Sequence, residues 1–517
     1  MSEHNNQIEH VERSHSEIMV IIVALMLAML LAALDQTIVS TALPSIARDL
    51  HGLNKLSWVA TAYLLTSAVV TPIYGKVSDQ IGRKKVFQFA IILFLFGSAL
   101  CGISQNMNQL VIFRAIQGLG GGGLISLALA TVGDIIPPRQ RGKYQGYFGA
   151  VFALASIAGP LLGGLFTEHL SWRWIFYINI PLGLLAFLAI AARLHLPKVI
   201  QKHSLDYTGA VLMSTAMVSF LLALTWGGTT YAWGSIQTIG LFITSAVFTA
   251  CLLYWEGKRA KEPIIPLGLF KNSVFAVSCA LSLITGLLLL GAIIFLPEYQ
   301  QVVRGESPTA SGLYLLPLVG GMLISMITSG RLITRTGKYK VFPIFGTIIV
   351  ILGLFLFSHI TVSTSHLALT TWMVILGLGI GSFMQVMTLA VQNSVDRQQL
   401  GTATGLVTFF RSYGSSIGTA VFGVILVNRL AYHLKQQLPA DIAHKVSSIS
   451  SAGISVQISA AIREQVLIAF SRSFRDVFLA AIPFAIVAFV LALMLRETPL
   501  KTTTKNGPDN ELRIAEV

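Results

Sequence analysis

Fourteen predominantly apolar stretches recur along the chain, near 18–43, 57–75, 86–103, 110–136, 144–166, 174–196, 207–226, 236–255, 273–296, 311–330, 341–360, 367–391, 401–427 and 476–495. A bilayer core takes roughly 20 residues of helix to cross. The expected fold class is therefore an all-α polytopic membrane protein. Its solvent is not water, because only 11% of residues are charged against about 25% in soluble domains. The first run follows an acidic start (Glu3, Glu9, Glu12, Glu17) rather than a basic one, and no small-residue cleavage site stands behind a short apolar core. It reads as a retained helix and not a signal peptide.

Basic residues set the expected orientation. With the N-terminus in the cytoplasm, the inside segments hold 24 Lys and Arg and the short outside loops hold 4 (Arg48, Lys55, Arg173 and Arg304), which follows the positive-inside rule. Both termini, 1–17 and 497–517, are then cytoplasmic tails of a multi-pass cell-membrane protein. The net charge of +14 reads as contact with anionic lipid, and nucleic acid is not an expected partner. Residues 428–474 form one long outside segment with helical spacing on either side of "SSISSAGIS". They are expected to stand outside the membrane as a helical hairpin, and long outer loops are largely exempt from the charge rule.

The chain offers little for enzymatic chemistry. Cys101, Cys251 and Cys279 sit singly in apolar runs with no metal spacing, and His4, His10 and His15 fit a solvated tail better than a metal tract. The sequence contains no GxxxxGK[ST] phosphate loop, so ATP hydrolysis is excluded as a power source. No cofactor or metal is expected.

Internal similarity divides the chain. "GKVSDQIGRKK" (75–85) recurs as "GRLITRTGKYK" (330–340), "QGLGGGG" (117–123) as "LGLGIGS" (376–382), and "GDIIPPRQRGKYQG" (133–146) as "QNSVDRQQLGTATG" (392–405). The expected organisation is a six-helix bundle over 18–196, two inserted helices with linkers over 197–272, and a second bundle over 273–496 that includes the hairpin. Duplicated halves are how many secondary transporters build a site at their interface.

"GKVSDQIGRKK" resembles the signature loop of the major facilitator superfamily, "RAIQGLGGGG" (114–123) its helix 4 motif, and "ASIAGPLLGG" (155–164) its helix 5 antiporter motif, with Ala155 where glycine is usual. "LDQTIVSTALP" (34–44), "WRWIFYINIP" (172–181) and "SPTASGLYLLP" (307–317) are similar to elements of its fourteen-helix drug:proton antiporter branch, the QacA and EmrB type. The resemblance implies a functional monomer that exchanges protons for lipophilic small molecules. It also implies a cytoplasmic gate of Gly75, Asp79, Gly82, Arg83 and Asp134, in which Asp79 meets the start of helix 13 and Arg83 pairs with Asp134. The second copy has Thr334 where Asp79 stands, so such a latch is asymmetric. Gly159, Pro160, Gly163 and Gly164 bear two readings: close helix packing, or the family's marker of export. For Gly118 and Gly120 to Gly123, inside an apolar run, packing is favoured over a nucleotide loop.

Ionisable residues within a membrane are costly, about 2.5–3.5 kcal/mol on insertion scales, and usually mark a substrate or proton path. Three lie well inside apolar runs: Asp35, Arg114 and Arg411. Counting residues at 1.5 Å of rise puts Asp35 and Arg114 at similar depth, and in the resembling fold their helices both line the cavity. They form the expected proton-coupling pair. Arg411 has no acid at its depth and Gln385 as its expected neighbour, so a structural role and a cargo contact both stand. Glu298, in "FLPEYQQ", is either solvated or an attractor of departing cations. The expected function is proton-coupled efflux of neutral or cationic lipophiles. Export of lipids or envelope components is the alternative, and an uptake symporter or a non-transporting sensor fits less well.

Overall fold

The computed structural model describes residues 15–50, 56–194, 206–228, 230–438 and 460–500. Among these residues fourteen long helices carry the fold: α1 His15–Asp49, α2 Leu56–Ile81, α3 Arg83–Gly102, α4 Met107–Ile135, α5 Pro138–His169, α6 Trp174–Arg193, α7 Tyr207–Trp226, α8 Ile236–Lys258, α9 Ser273–Val302, α10 Leu316–Thr336, α11 Val341–Phe357, α12 His366–Ser394, α13 Leu400–Gln437 and α14 Ala460–Met494. Twelve of them are long and apolar enough to cross a membrane; α9, whose apolar stretch is Ser273–Leu289, and α11 are shorter by that measure. The described residues form an all-helical fold, as the apolar runs imply.

Helix ends follow local chemistry. The side chains of Asn106, Asp206, Ser235, Asn272 and Ser365 accept hydrogen bonds from the first-turn backbone of α4, α7, α8, α9 and α12, which satisfies N–H groups that have no partner inside the helix. The stretch around Asp79 is not a loop after α2, because nothing before Gly82 interrupts the helix and Asp79 rides in its last turns. Gly82 alone makes the break, at φ 105°. Its repeat counterpart Gly337 ends α10 at φ 73°, and a left-handed backbone favours glycine at both positions. Similarly, α13 runs on through 428–437, and α14 covers 460–476, without a proline or glycine to stop them. The described arms of the outer segment are therefore continuations of these helices, and at 38 residues α13 is about 57 Å long. The stretch "SSISSAGIS" lies outside the described residues.

Packing repeats between the halves. In the first, α2 packs on α4, α3 on α4 and α1 on α5; in the second, α10 packs on α12, α11 on α12 and α9 on α13. Across the two, α2 meets α13 and α5 meets α10. The pair α7–α8 packs on itself and reaches the rest through α7, which touches α2 and α13. A second tether is the 2.8 Å ion pair from Lys76 on α2 to Glu262, just beyond α8.

Candidate functional site

Asp35 is fully buried on α1 and held from three sides. Arg114 Nη1 of α4 donates to Asp35 Oδ2 at 2.7 Å, while Oδ1 accepts from Gln117 Nε2 at 2.8 Å and from Asn179 Nδ2 of α6 at 3.0 Å. Arg114 is as buried as its partner; its Nε donates to the Val59 carbonyl of α2 at 3.0 Å, and its guanidinium lies 4.3 Å from the Tyr63 ring centroid. Asn179 also donates to Ser98 Oγ of α3 at 3.0 Å. Five helices of one half thus converge on a single carboxylate. Isolated, either charge would be expensive here; paired and hydrogen-bonded, each offsets the other's loss of water.

Small residues bring these helices close enough to meet. A Cβ on Gly118 would stand 2.1 Å from Thr66 Oγ1 of α2, and one on Gly120 2.3 Å from the Phe94 backbone of α3, so α4 is bare on two faces. The seam between α1 and α5 is equally tight. A Cβ on Gly159 would lie 2.2 Å from Thr37 Oγ1, and one on Gly163 1.9 Å from Thr41 Oγ1, whereas Gly164 faces open space. Thr37 Oγ1 donates to the Ala155 carbonyl at 2.9 Å, two residues along α1 from Asp35. The side chain of Pro160 lies outside the described residues.

A second constellation joins the halves at the end where α2 turns into α3. Asp79 accepts from the backbone N–H of Gly401 at 3.0 Å and of Thr402 at 2.7 Å, and from the Thr402 hydroxyl at 2.7 Å. Arg83 reaches Asp79 at 2.6 Å and Asp134 at 2.8 Å, and also donates to Ser78. The carboxylate sits on the first turn of α13, where free N–H groups and the helix dipole favour negative charge. A Cβ on Gly75 would come within 2.5 Å of the Gly401 carbonyl oxygen, so bare backbone is what lets α2 and α13 touch. The other crossing reverses the polarity. Arg139 of α5 approaches the carbonyls of Thr334 and Arg335, the last turn of α10, at 3.4 Å each, and a cation suits a helix C-terminus.

Between the halves, nearer the middle, lies a small, partly open cavity. It is lined by Met29, Leu129, Phe148, Gly149 and Phe152 from one side and Met326, Met384, Thr388 and Arg411 from the other. Asp35 and Arg114 do not line it. Glu298, half-buried on α9, does not line it either, and the side chain of Gln385 lies outside the described residues.

Residues 25–419 match the Major Facilitator Superfamily. The chain belongs to the major facilitator superfamily. It is 38% identical to Multidrug resistance protein 3 of Bacillus subtilis, over 94% of this chain and 96% of that one. To the Multidrug transporter protein MdtP of the same organism it is 36% identical, over 97% and 96%. An uncharacterized transporter of this type from Mycobacterium tuberculosis is 42% identical over 95% of this chain and 71% of its own length. Among solved structures, the proton:xylose symporter XylE superposes with a TM-score of 0.62 at 14% identity, covering 95% of this chain and 98% of that one. The human organic anion transporter MFSD10 does so at 0.62 and 15%, covering 92% and 99%. These likenesses make the chain a multi-pass membrane transporter and not an enzyme.

Several residues around this transporter's charged clusters carry little signal in the sequence. Gln117 and Asn179 stand inside quoted motifs, yet neither is ionisable, and a search for buried charge passes over them. The spacing of Arg114 and Gln117, one helical turn, was the available signal. In the sequence Arg141 is one basic residue among several beside the membrane. It is buried, donating to the carbonyls of Gly133 at 2.6 Å and Ile136 at 2.8 Å on the end of α4, and to the carbonyl of Gln392 on α12 at 3.3 Å.

Proposed function

We propose that this chain is a proton-coupled exporter of lipophilic small molecules, working by alternating access and belonging to the fourteen-helix drug:proton antiporter branch. Its two bundles, 18–196 and 273–496, move against each other, with 197–272 as an inserted pair, and all fourteen long helices cross the membrane with both termini inside. The carrying observation is the separation of two sites. Asp35 is enclosed within one half, and the apolar cavity between the halves contains neither it nor its partner.

In this reading the mechanism is an exchange of partners. While Asp35 is ionised, Arg114, Gln117 and Asn179 hold α1, α4 and α6 together. A proton arriving on Asp35 cancels its charge and weakens its bond to Arg114, and α1 is released to shift along the glycine seam with α5. The cavity sits against the same helices, at Met29 of α1 and Phe148 and Phe152 of α5, so cargo and proton bias one movement from two places. Asp79, Arg83 and Asp134, with Gly75 and Gly82, form the cytoplasmic gate, closed when Asp79 caps α13. Gly159 and Gly163 set the α1–α5 seam, Pro160 and Gly164 belong to the same export motif, and Glu298 serves at the outer end of the path.

Support for drugs as cargo comes from relatives named for multidrug resistance and efflux and from methionines, whose flexible side chains adapt to differently shaped apolar ligands. The cavity lining contains no carboxylate among the described residues, which favours neutral lipophiles over cations. Everted vesicles test the proposal. Addition of an exported lipophile should dissipate an imposed pH gradient and the compound should accumulate inside; accumulation indifferent to the gradient would refute proton coupling.

A further inference from the structure

We propose that Arg411 is a specificity-determining residue that receives the anionic head of an amphipathic cargo, so that the favoured charged substrates are lipophilic organic anions. This rests on the export reading above and deepens it. Among the described residues the cavity lining has one charged residue, Arg411, and one hydroxyl, Thr388; the other seven positions are Met29, Leu129, Phe148, Gly149, Phe152, Met326 and Met384. Among the described residues Arg411 has no ion-pair or hydrogen-bond partner for its side chain. The buried arginines contrast with it: Arg83 holds two carboxylates, Arg114 holds Asp35, and Arg141 holds backbone carbonyls.

Asp35, an acid on the lining helix α1, has its oxygens occupied by Arg114, Gln117 and Asn179. Arg411, half-buried at the cavity, is therefore left without an anion among the described residues. A guanidinium binds a carboxylate or sulfonate through two parallel N–H donors, and it sheds water at lower cost than an ammonium does. The hydroxyl of Thr388, one helix away, is a further donor. A cargo with one anionic group and an apolar body would pair its charge with Arg411 and lay the body against Met29, Phe148, Phe152, Met326 and Met384. Backbone packing fixes the base of the arginine: a Cβ on Gly286 of α9 would stand 1.9 Å from the Arg411 carbonyl oxygen. That contact is made by the main chain, so replacing the side chain leaves the α9–α13 seam intact.

The test uses the full chain in nanodiscs and three matched fluorescent probes: a dansyl-labelled undecanoic acid, its primary amide, and a trimethylammonium compound of equal chain length. Wild type should bind the acid on the order of tenfold more tightly than the amide or the cation. Arg411→Gln should bring the acid to the amide's affinity and leave the amide within about twofold, while Arg411→Lys retains part of the preference. Equal loss of all three probes in Arg411→Gln would mean a structural arginine and overturn the proposal, as would equal or tighter binding of the cation by wild type. If Arg411→Gln fails to assemble, the wild-type order of the three probes decides alone. In everted vesicles, export of the amide without the acid would sink this proposal and leave the export reading standing. Export of none would sink both.

Discussion

Replacing Asp79 with asparagine isolates the contact that joins the two halves at the gate end. The native carboxylate accepts three bonds from the first turn of α13: Gly401 N–H and Thr402 N–H and O–H, at 2.7–3.0 Å. An amide has one acceptor oxygen. If that oxygen stays on Thr402, the NH2 group faces the Gly401 N–H, donor against donor. The bond to Arg83 at 2.6 Å is also lost, but it lies within one half and Asp134 remains to hold that arginine. The loss that bears on the gate is therefore about one charge-assisted hydrogen bond, roughly 1.5–3 kcal/mol. At 1.4 kcal/mol per factor of ten, the ratio of closed to open gate should fall about 10- to 100-fold. Spin labels at Lys85 and Lys338, both exposed and on opposite halves at this end, read the gate by double electron–electron resonance, where Asp79→Asn should add a long-distance population. Arg139→Ala is the comparison: its contacts are exposed and 3.4 Å long, so its effect should stay below about 1 kcal/mol. An unchanged distance distribution in Asp79→Asn, or an equal change in Arg139→Ala, would refute the latch.

Other consequences follow from the same geometry. Gly401→Ala would put a Cβ 1.9 Å from Arg83 Nη1 and 2.5 Å from Asp79 Oδ1, so the same labels should report an opened gate with every charge retained. Gly163→Ala should lower the thermal midpoint of the purified transporter by the equivalent of about 1–3 kcal/mol of overpacking; because the nearest obstacle is Thr41 Oγ1 at 1.9 Å, adding Thr41→Ala should recover part of the loss. A cysteine replacing Ser451, with Cys101, Cys251 and Cys279 removed, should react with an impermeant thiol reagent added from outside, and labelling only after the membrane is opened would reverse the orientation.

Much of this was legible because the bilayer makes sequence explicit. Runs of apolar residues had to be helices, and two charges at equal depth, Asp35 and Arg114, had little choice but to find each other. Glycine patterns were readable as well, since only bare backbone permits the approaches seen at Gly118, Gly120 and Gly159. What escaped depends on three-dimensional neighbours. Nothing along the chain tells that Asn179, 144 residues away, donates to Asp35, or that Arg139 would take over at α10 where Thr334 replaces the acid. Helix ends escaped for another reason: apolar runs report where the membrane stops, whereas α2, α13 and α14 continue until a residue such as Gly82 breaks them. The isolation of Arg411 was half visible, in that no acid shared its depth, but the apolar surroundings that give it meaning come from five other helices of both halves.

In the proposed mechanism Asp35 carries the proton. Asparagine at this position keeps nearly the same shape and can still accept from Gln117, yet it cannot exchange a proton and leaves Arg114 without its counter-charge. In everted vesicles with an imposed pH gradient, wild type should release protons when an exported lipophile is added. Asp35→Asn, and Arg114→Ala likewise, should release none, while Asp35→Asn in nanodiscs still binds the same compound within about tenfold of wild type, because the cavity is formed without Asp35. Proton release by Asp35→Asn at the wild-type level would contradict the account and place the coupling carboxylate elsewhere in the chain.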